Sequence, residues 1–249
     1  MMVSRLLLLI ATCLGSTLGG KLPSDIKVCR RSDPKLSECF KDAIQDALPK
    51  LRNGVPEIDF SPIEPYEIKS LTIDAGSDSM KVVQNYKNMK IYELSNSIIE
   101  AASLFHDGDN FYAVLEVLIP ITRGEGDYSI DGNLMMLPIK GEGKCSIVFK
   151  DSKVALKMNG TKFESGGESF LRINEFHVNF EPALAEFKFD NLFNNDKKLG
   201  EAMNTLINQS WRDLFEEVKD PYEQTFADLF KDTTNAIFTK IPVEELFPQ

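Results

Sequence analysis

Two periods divide the chain. Over residues 111–190 apolar side chains recur mostly at every second position, and over residues 199–237 they recur at helical spacing. In the first block Val154, Leu156 and Met158 alternate with Lys153, Lys157 and Asn159. Phe176, Val178 and Phe180 oppose Glu175, His177, Asn179 and Glu181, and Phe187 and Phe189 oppose Glu186, Lys188 and Asp190. This alternation predicts an antiparallel sheet with one dry and one wet face. Residues 111–119 are almost continuously apolar and predict a strand covered on both faces. Gly124, Gly126, Asp131-Gly132, Gly141, Gly143 and Gly166-Gly167 read as turns or bulges that let the sheet curve strongly.

In the second block Leu199, Met203, Leu206, Ile207, Trp211, Leu214, Phe215, Val218, Tyr222, Phe226, Leu229, Phe230, Thr233 and Ile237 form one stripe, opposite Glu201, Asn208, Arg212, Glu216, Asp228 and Lys231. Unbroken, about 40 residues of helix would run about 60 Å. Asp220-Pro221 interrupts it, and the favoured reading is one continuous helix kinked at Pro221 rather than a second helix started there. A shorter helix is predicted over 37–52, capped by Ser37, with Phe40, Ala43, Ile44, Ala47, Leu48 and Leu51 on one face and Asn53-Gly54 as its stop. Short strand-like runs at 71–73, 81–83 and 91–94 lie between, and 107–110 is a turn by composition.

An amphipathic helix with so wide an aromatic stripe needs an apolar surface to bury it, and the dry face of a curved sheet supplies one. The fold class expected is α+β: a long C-terminal helix wrapped by a highly curved antiparallel β-sheet. The seam between them is either packed solid or left as an elongated apolar tunnel. Periodicity nominates Phe40, Ile44, Trp211, Phe215, Tyr222 and Phe226 on the helices, and Phe176, Val178, Phe180, Phe187 and Phe189 on the sheet, as its lining.

The N-terminus sets the compartment. Arg5 precedes a short apolar run, Leu6 to Leu14, and small residues follow through Gly20. This reads as a secretory signal peptide over 1–20, too short to span a membrane, followed by one domain over 21–249. No later stretch is apolar for the roughly 18 residues a span needs, so no stable membrane insertion is expected. The formal charge is −10 and becomes −11 without Arg5, which excludes nucleic acid as a natural partner. Of the four cysteines, Cys13 leaves with the leader. Cys29 and Cys39 bracket a loop easily closed by a disulfide, and Cys145 remains within a strand, read as a small buried residue with a reactive or intermolecular thiol as the alternative. Asn159-Gly160-Thr161 and Asn208-Gln209-Ser210 are sequons, so Asn159 and Asn208 are glycosylation candidates.

Catalytic signatures are missing. The two histidines, His106 and His177, lack metal-ligand spacing, Cys145 has no base partner in sequence, and there is no Gly-x-Ser-x-Gly, phosphate loop or dinucleotide fingerprint. The expectation is a non-enzyme with no cofactor and no metal site; the acidic turn at 107–110 lacks the spacing and closing Glu of a calcium loop.

Several stretches, in order, resemble the insect juvenile hormone-binding protein and takeout family: Cys29 and Cys39-Phe40 leading into a helix, Asn53-Gly54-Val55-Pro56-Glu57-Ile58, Ser61-Pro62-Ile63-Glu64-Pro65-Tyr66, Gly126-Asp127-Tyr128 through Asp131-Gly132, Leu137-Pro138-Ile139-Lys140-Gly141-Glu142-Gly143, the run from Phe187 to Gly200, Leu206-Ile207-Asn208-Gln209-Ser210-Trp211, and Ile241-Pro242-Val243-Glu244-Glu245-Leu246-Phe247. The resemblance covers essentially the whole mature chain. It implies a wrap similar to one half of the larger bactericidal/permeability-increasing and lipid-transfer proteins. It also implies a secreted carrier that holds a lipophilic small molecule, such as juvenile hormone, another isoprenoid or a fatty-acid-like compound, in an internal tunnel. The hormone-carrier branch has a second disulfide, for which Cys145 has no partner here. The takeout-like branch, associated with circadian, feeding and chemosensory physiology, is the better fit. The alternative is a secreted signalling or interaction protein with a filled core, acting through a cell-surface receptor.

Overall fold

The computed structural model describes residues 20–76, 80–134 and 137–249; apart from Gly20, the expected leader lies outside the described residues. Helix α1 spans Leu36–Leu51. Strands follow at Tyr66–Gly76 (β1), Met80–Tyr92 (β2), Ile98–Asp107 (β3), Asn110–Leu134 (β4), Leu137–Ser165 (β5), Glu168–Glu181 (β6) and Leu184–Phe189 (β7). Helices α2, Lys197–Gln209, and α3, Trp211–Phe238, are followed by the single turn α4, Val243–Leu246. The runs at 71–73 and 81–83 are parts of β1 and β2, and the run at 91–94 closes β2 before Leu94 starts a 3-10 turn. All strand pairs are antiparallel, in the order β1-β2-β4-β5-β6, with β3 added on β4 and β7 on β5.

The spine is the β4–β5 ribbon, 25 and 29 residues long. Both strands change their outer partner at the same level. β4 pairs with β3 as far as Leu118 and with β2 from Arg123, while β5 pairs with β7 over 145–150 and with β6 over 153–165. Between them Ile119 faces Ser152 and Ile121 faces Lys150, which leaves Pro120 against Asp151. Pro120 has no N–H for the ladder, and Asp151 takes a left-handed φ of 48°. The inward face shifts by one residue here in both strands. Buried positions run Phe111, Ala113, Leu115, Val117 and then Gly124, Tyr128, Ile130 in β4; in β5 they run Ile139, Cys145, Ile147 and then Ser152, Val154, Met158.

Helix α3 packs against both β6 and β1, the two ends of the strand path, and so closes the wrap. Edge strands are met by amide side chains that act as substitute strand neighbours. Asn235 accepts from Ile173 N at 2.8 Å and donates to Ile173 O at 3.0 Å. Asn204 and Asn208 do the same to Phe189 and Phe187 of β7. Gln45 of α1 accepts from Ile99 N and donates to Ser97 O beside β3. The core forms two clusters. One joins α1, β3, the start of β4, β6 and the C-terminal residues Ile241 to Phe247. The other joins β1, β2, the end of β4, β7 and α2.

Four expectations need correction. Residues 111–119 are not covered on both faces: Tyr112 is 46% exposed and Glu116 is exposed, because the convex side of β4 faces solvent. Of the glycines read as turns or bulges, Gly166-Gly167 sits in a turn and Gly126 lies opposite the β2 bulge between Lys87 and Lys90; the others lie within the regular pairing of β4 and β5. Gly132 has φ +151° and a Cβ there would lie 2.0 Å from Lys81 O, so strands β2 and β4 could not approach with any other residue. The C-terminal stripe is broken at Ser210 (φ −106°, ψ 18°), and Pro221 lies inside a continuous α3. Ser37 does not cap α1; it lies inside the first turn, where its hydroxyl accepts from Leu104 N of β3 at 3.1 Å. Cys29 and Cys39 are joined in a disulfide with a Cα separation of 5.8 Å, and Cys145 is a free, buried thiol.

Candidate ligand cavity

The partner exchange on the β4–β5 spine leaves a hollow between the two core clusters. Among the described residues, a cavity of about 130 Å³ is lined by Ile68 and Leu71 of β1, by Tyr86, Met89 and Ile91 of β2, by Leu94 of the 3-10 turn that follows β2, by Ile119, Thr122 and Gly124 of β4, by Ile147, Phe149 and Val154 of β5, by Val178 and Phe180 of β6, and by Phe215, Tyr222, Glu223, Phe226 and Phe230 of α3. A second space of about 70 Å³ lies toward α2 and β7, walled by Val82, Gln84, Ile130, Leu134, Ile139, Phe187, Phe189, Ile207, Leu214 and Val218. Ile147, Phe149, Phe215 and Tyr222 belong to both walls and separate the two spaces. Phe215 meets Phe149 and Phe180 edge-on, with centroids 6.1 and 5.9 Å away.

The structure therefore places Val178, Phe180, Phe215, Tyr222 and Phe226 in the first wall and adds Phe187 and Phe189 in the second. Four candidates lie elsewhere. Phe40 meets Phe247 at a tilt in the cluster beneath α1, and Ile44 packs against the same cluster. Phe176 lies in that cluster too, where it meets Phe230. Trp211 opens α3 and lies under the Arg212 guanidinium, because the break at Ser210 turns it off the inward stripe. Periodicity missed the contributions of β1, β2 and the Pro120 region. The signal was present in Ile68, Tyr86, Met89 and Ile91, but the one-residue phase shift opposite Asp151 hides which face the spine turns inward.

Few polar groups enter this lining. Tyr86, Tyr222 and Gln84 meet at the partition: the phenol oxygens are 2.9 Å apart, and they lie 2.6 and 2.8 Å from Gln84 Oε1. Burial pushes both phenols well above their ordinary range, so they are neutral. Thr122 and Ser152 carry buried hydroxyls with no hydrogen-bond partner among the described residues, both beside the Pro120–Asp151 irregularity. Glu223 accepts from Phe180 N at 2.7 Å and lies 3.9 Å from Lys219; burial raises its pKa against that hydrogen bond. Cys145 is packed 4.0 Å from the Met89 sulfur, and burial pushes its thiol up to about 11. The histidines are exposed, His177 on the convex face 4.0 Å from Glu175. Between β1 and α3 the wall is closed by Tyr66, whose hydroxyl lies 2.8 Å from Thr233 Oγ1 and whose ring meets Phe230.

The sequons differ in setting. Asn159 lies on the convex face opposite Tyr112, with its amide donating to Glu175. The Asn208 amide nitrogen is committed to Phe187 O at 2.7 Å and Asn204 O at 2.8 Å.

Known proteins share this architecture. The chain is similar to the circadian clock-controlled protein daywake of Drosophila melanogaster, 27% identical over 233 residues, 90% of this chain and 88% of that protein. It is also similar to a putative beta-carotene-binding protein of Schistocerca gregaria (21% over 226 residues, 90% and 88%) and to the juvenile hormone-binding protein of Manduca sexta (29% over 158 residues, 59% and 66%). The crystal structure of Epiphyas postvittana Takeout 1 superposes with a TM-score of 0.76 at 22% identity, covering 90% of this chain and all of that one, so the fold is that of takeout. Residues 6–248 match the profile of the haemolymph juvenile hormone binding protein family, and the chain belongs to that family.

Proposed function

We propose that this protein is a secreted, non-catalytic carrier that holds one small lipophilic molecule in the chamber beneath α3. The observation that carries the reading is the cavity whose wall is almost wholly apolar. An apolar guest leaving water for such a wall gains roughly 25 cal/mol per Å² of surface. Size limits the guest. An engineered apolar cavity of about 150 Å³ stays dry and takes a benzene-sized molecule. The first space, about 130 Å³, is of that order as it stands. A chain-like isoprenoid or fatty-acid-like ligand needs the second space as well, so the partition at Phe215 and Tyr222 has to move aside when it binds.

The relatives are consistent with this reading, since one is named as binding juvenile hormone and another as putatively binding beta-carotene. Secretion rests on the leader-like N-terminus and agrees with the Cys29–Cys39 disulfide, a bond that persists in oxidising compartments. Native mass spectrometry of protein purified from secreting cells, followed by organic extraction, tests the proposal. A stoichiometric apolar adduct that is retained without turnover is the expected result. A clean apo mass that persists after challenge with isoprenoids and fatty acids overturns the carrier and favours a receptor-directed interaction protein. Hydrolysis of an ester guest would make the protein an enzyme.

A further inference from the structure

We propose that the exposed aromatic pair Phe105–Tyr112, on the convex face of the sheet, is a platform for an N-linked glycan carried by Asn159, whose first sugars lie against the two rings. This rests on the secretion part of the carrier reading and not on the cavity. The strand register brings the three residues into one row. Phe105 of β3 pairs with Tyr112 of β4, and Tyr112 pairs with Asn159 of β5. Their side chains stand on the outer face, because the preceding residues Leu104, Phe111 and Met158 are buried inside the wrap.

The pair breaks the pattern of its own face. On β5 and β6 the convex positions nearby carry Lys157, Glu175, His177 and Asn179, as a face turned to water requires. Phe105 is 62% exposed, more than any other large apolar side chain among the described residues, and Tyr112 is 46% exposed. Their ring centroids are 6.2 Å apart with 32° between the planes, so the two rings adjoin. Adjoining apolar surface held out in water marks a place of contact.

Asn159 identifies what makes the contact. It is the acceptor of the sequon Asn159-Gly160-Thr161. Neighbouring strands lie about 4.8 Å apart, so Tyr112 stands about one strand spacing from the linkage and Phe105 about two. A glycan laid along the row passes its first sugar over Tyr112 and its second over Phe105. A pyranose ring offers a face of C–H groups, and the electron-rich face of an aromatic ring attracts their partial positive charge. On the other side of the row Asn159 Nδ2 donates to Glu175 Oε2 at 2.6 Å. An amide nitrogen has two protons, so a sugar can replace one while the other keeps Glu175. The donor is a lipid-pyrophosphate-linked oligosaccharide. The Nδ2–C1 bond forms, the C1–O bond of the donor breaks, the lipid pyrophosphate leaves with the bonding pair, and one amide proton passes to solvent.

The test secretes the full chain from cells restricted to oligomannose glycans and trims one portion with endoglycosidase H to a single sugar. Hydroxyl-radical footprinting then compares the intact glycoform, the single-sugar form and Asn159→Gln. Tyr112 should react about 3-fold more slowly in both sugar-bearing forms, and Phe105 about 3-fold more slowly in the intact glycoform alone, as mostly covered side chains do. Leu137 and Leu199, exposed elsewhere, should react equally in all three. The intact glycan should also raise Tm by about 2–4 °C over Asn159→Gln, the value of one modest contact in a protein of this size, and Phe105→Ser/Tyr112→Ser should abolish that gain. Sugar at Asn159 with unprotected rings overturns the platform, as does secreted protein bare at Asn159 or a Tm gain that persists without the rings. Rings as slow to react in the bare form as in the glycosylated one are covered by a second copy or a partner, which also overturns it. Protein that stays in the cytosol with its leader uncleaved overturns secretion and the platform with it. If Asn159→Gln does not accumulate, peptide N-glycosidase F acting on the folded glycoprotein supplies the bare form, and the same protections decide.

Discussion

Asn208 holds Phe187 by both of its backbone groups: the amide oxygen accepts from Phe187 N at 2.8 Å and the amide nitrogen donates to Phe187 O at 2.7 Å. The side chain thus supplies what a neighbouring strand would, and it docks α2 on the free edge of β7. In Asn208→Ala both backbone groups lose their partner. Unmet buried groups cost roughly 1–3 kcal/mol together with the lost bonds, and in a protein of this size each kcal/mol lowers Tm by about 2–4 °C. A glycan on the Asn208 nitrogen would displace the same bonds. Glycopeptide mapping of secreted protein should find sugar at Asn159, on the convex face, and none at Asn208. A stable, fully glycosylated Asn208 would remove the clamp from the account.

Much of the architecture could be read from period alone. Alternation in 153–159 and 175–190 gave the inner face of β5, β6 and β7, and the helical stripe gave α3 and seven wall residues. What periodicity could not supply were the events that break a period. Ser210 ends α2 without a glycine or proline to announce it, and Pro221, which looks like a break, is carried within α3. The shift opposite Asp151 depends on two strands moving phase together, a property of the pairing and not of either strand alone. Asn208 was visible only as a sequon on the polar face of the helical stripe, since an amide that caps an edge strand has no local signature.

Glu223 should make stability depend on pH. Its pKa is raised above 4.5, chiefly by burial, so the folded state binds this proton more tightly than the unfolded state does. That contribution is fully present below pH 4.5 and is lost as pH rises through the higher folded value. Glu223→Gln keeps an oxygen to accept from Phe180 N and carries no charge. Its Tm should exceed that of the native protein at pH 7, and the gap should narrow toward pH 4. A gap that widens on acidification would show that the pairing with Lys219 outweighs desolvation.

Ser152 is fully buried at the centre of the spine, and its hydroxyl has no partner among the described residues. Removing an unsatisfied buried hydroxyl also removes its desolvation penalty. Ser152→Ala is expected to raise stability by up to about 1 kcal/mol in urea unfolding, with an unchanged m-value. A clear loss of stability would mean that the hydroxyl is satisfied in solution.

The Cys29–Cys39 bond closes a short loop at the mouth of α1 and lies away from both cavity walls. Cys29→Ser/Cys39→Ser should therefore lower stability by about 2–3 kcal/mol, the loop-closure value for this separation, while ligand affinity at a temperature where the variant is folded stays the same. A changed ligand preference in a folded variant would connect α1 to the chamber by a route the packing does not show.

Phe215 is the residue on which the two-space description depends most directly. It is 6% exposed, lines both spaces, and packs edge-on against Phe149 and Phe180. Phe215→Ala removes the ring from the partition and joins the spaces. Without ligand, a large-to-small change at such a site destabilises by about 3–5 kcal/mol. A long apolar guest then fills space that the native ring occupied and no longer has to displace it, so ligand should raise Tm more in the variant than in the native protein. Ligand at 100 times Kd stabilises by about 2.7 kcal/mol, a shift that differential scanning fluorimetry resolves. A variant that loses stability but gains no more from a long-chain ligand than the native protein would show that Phe215 is ordinary core and that the partition opens at Tyr222 instead.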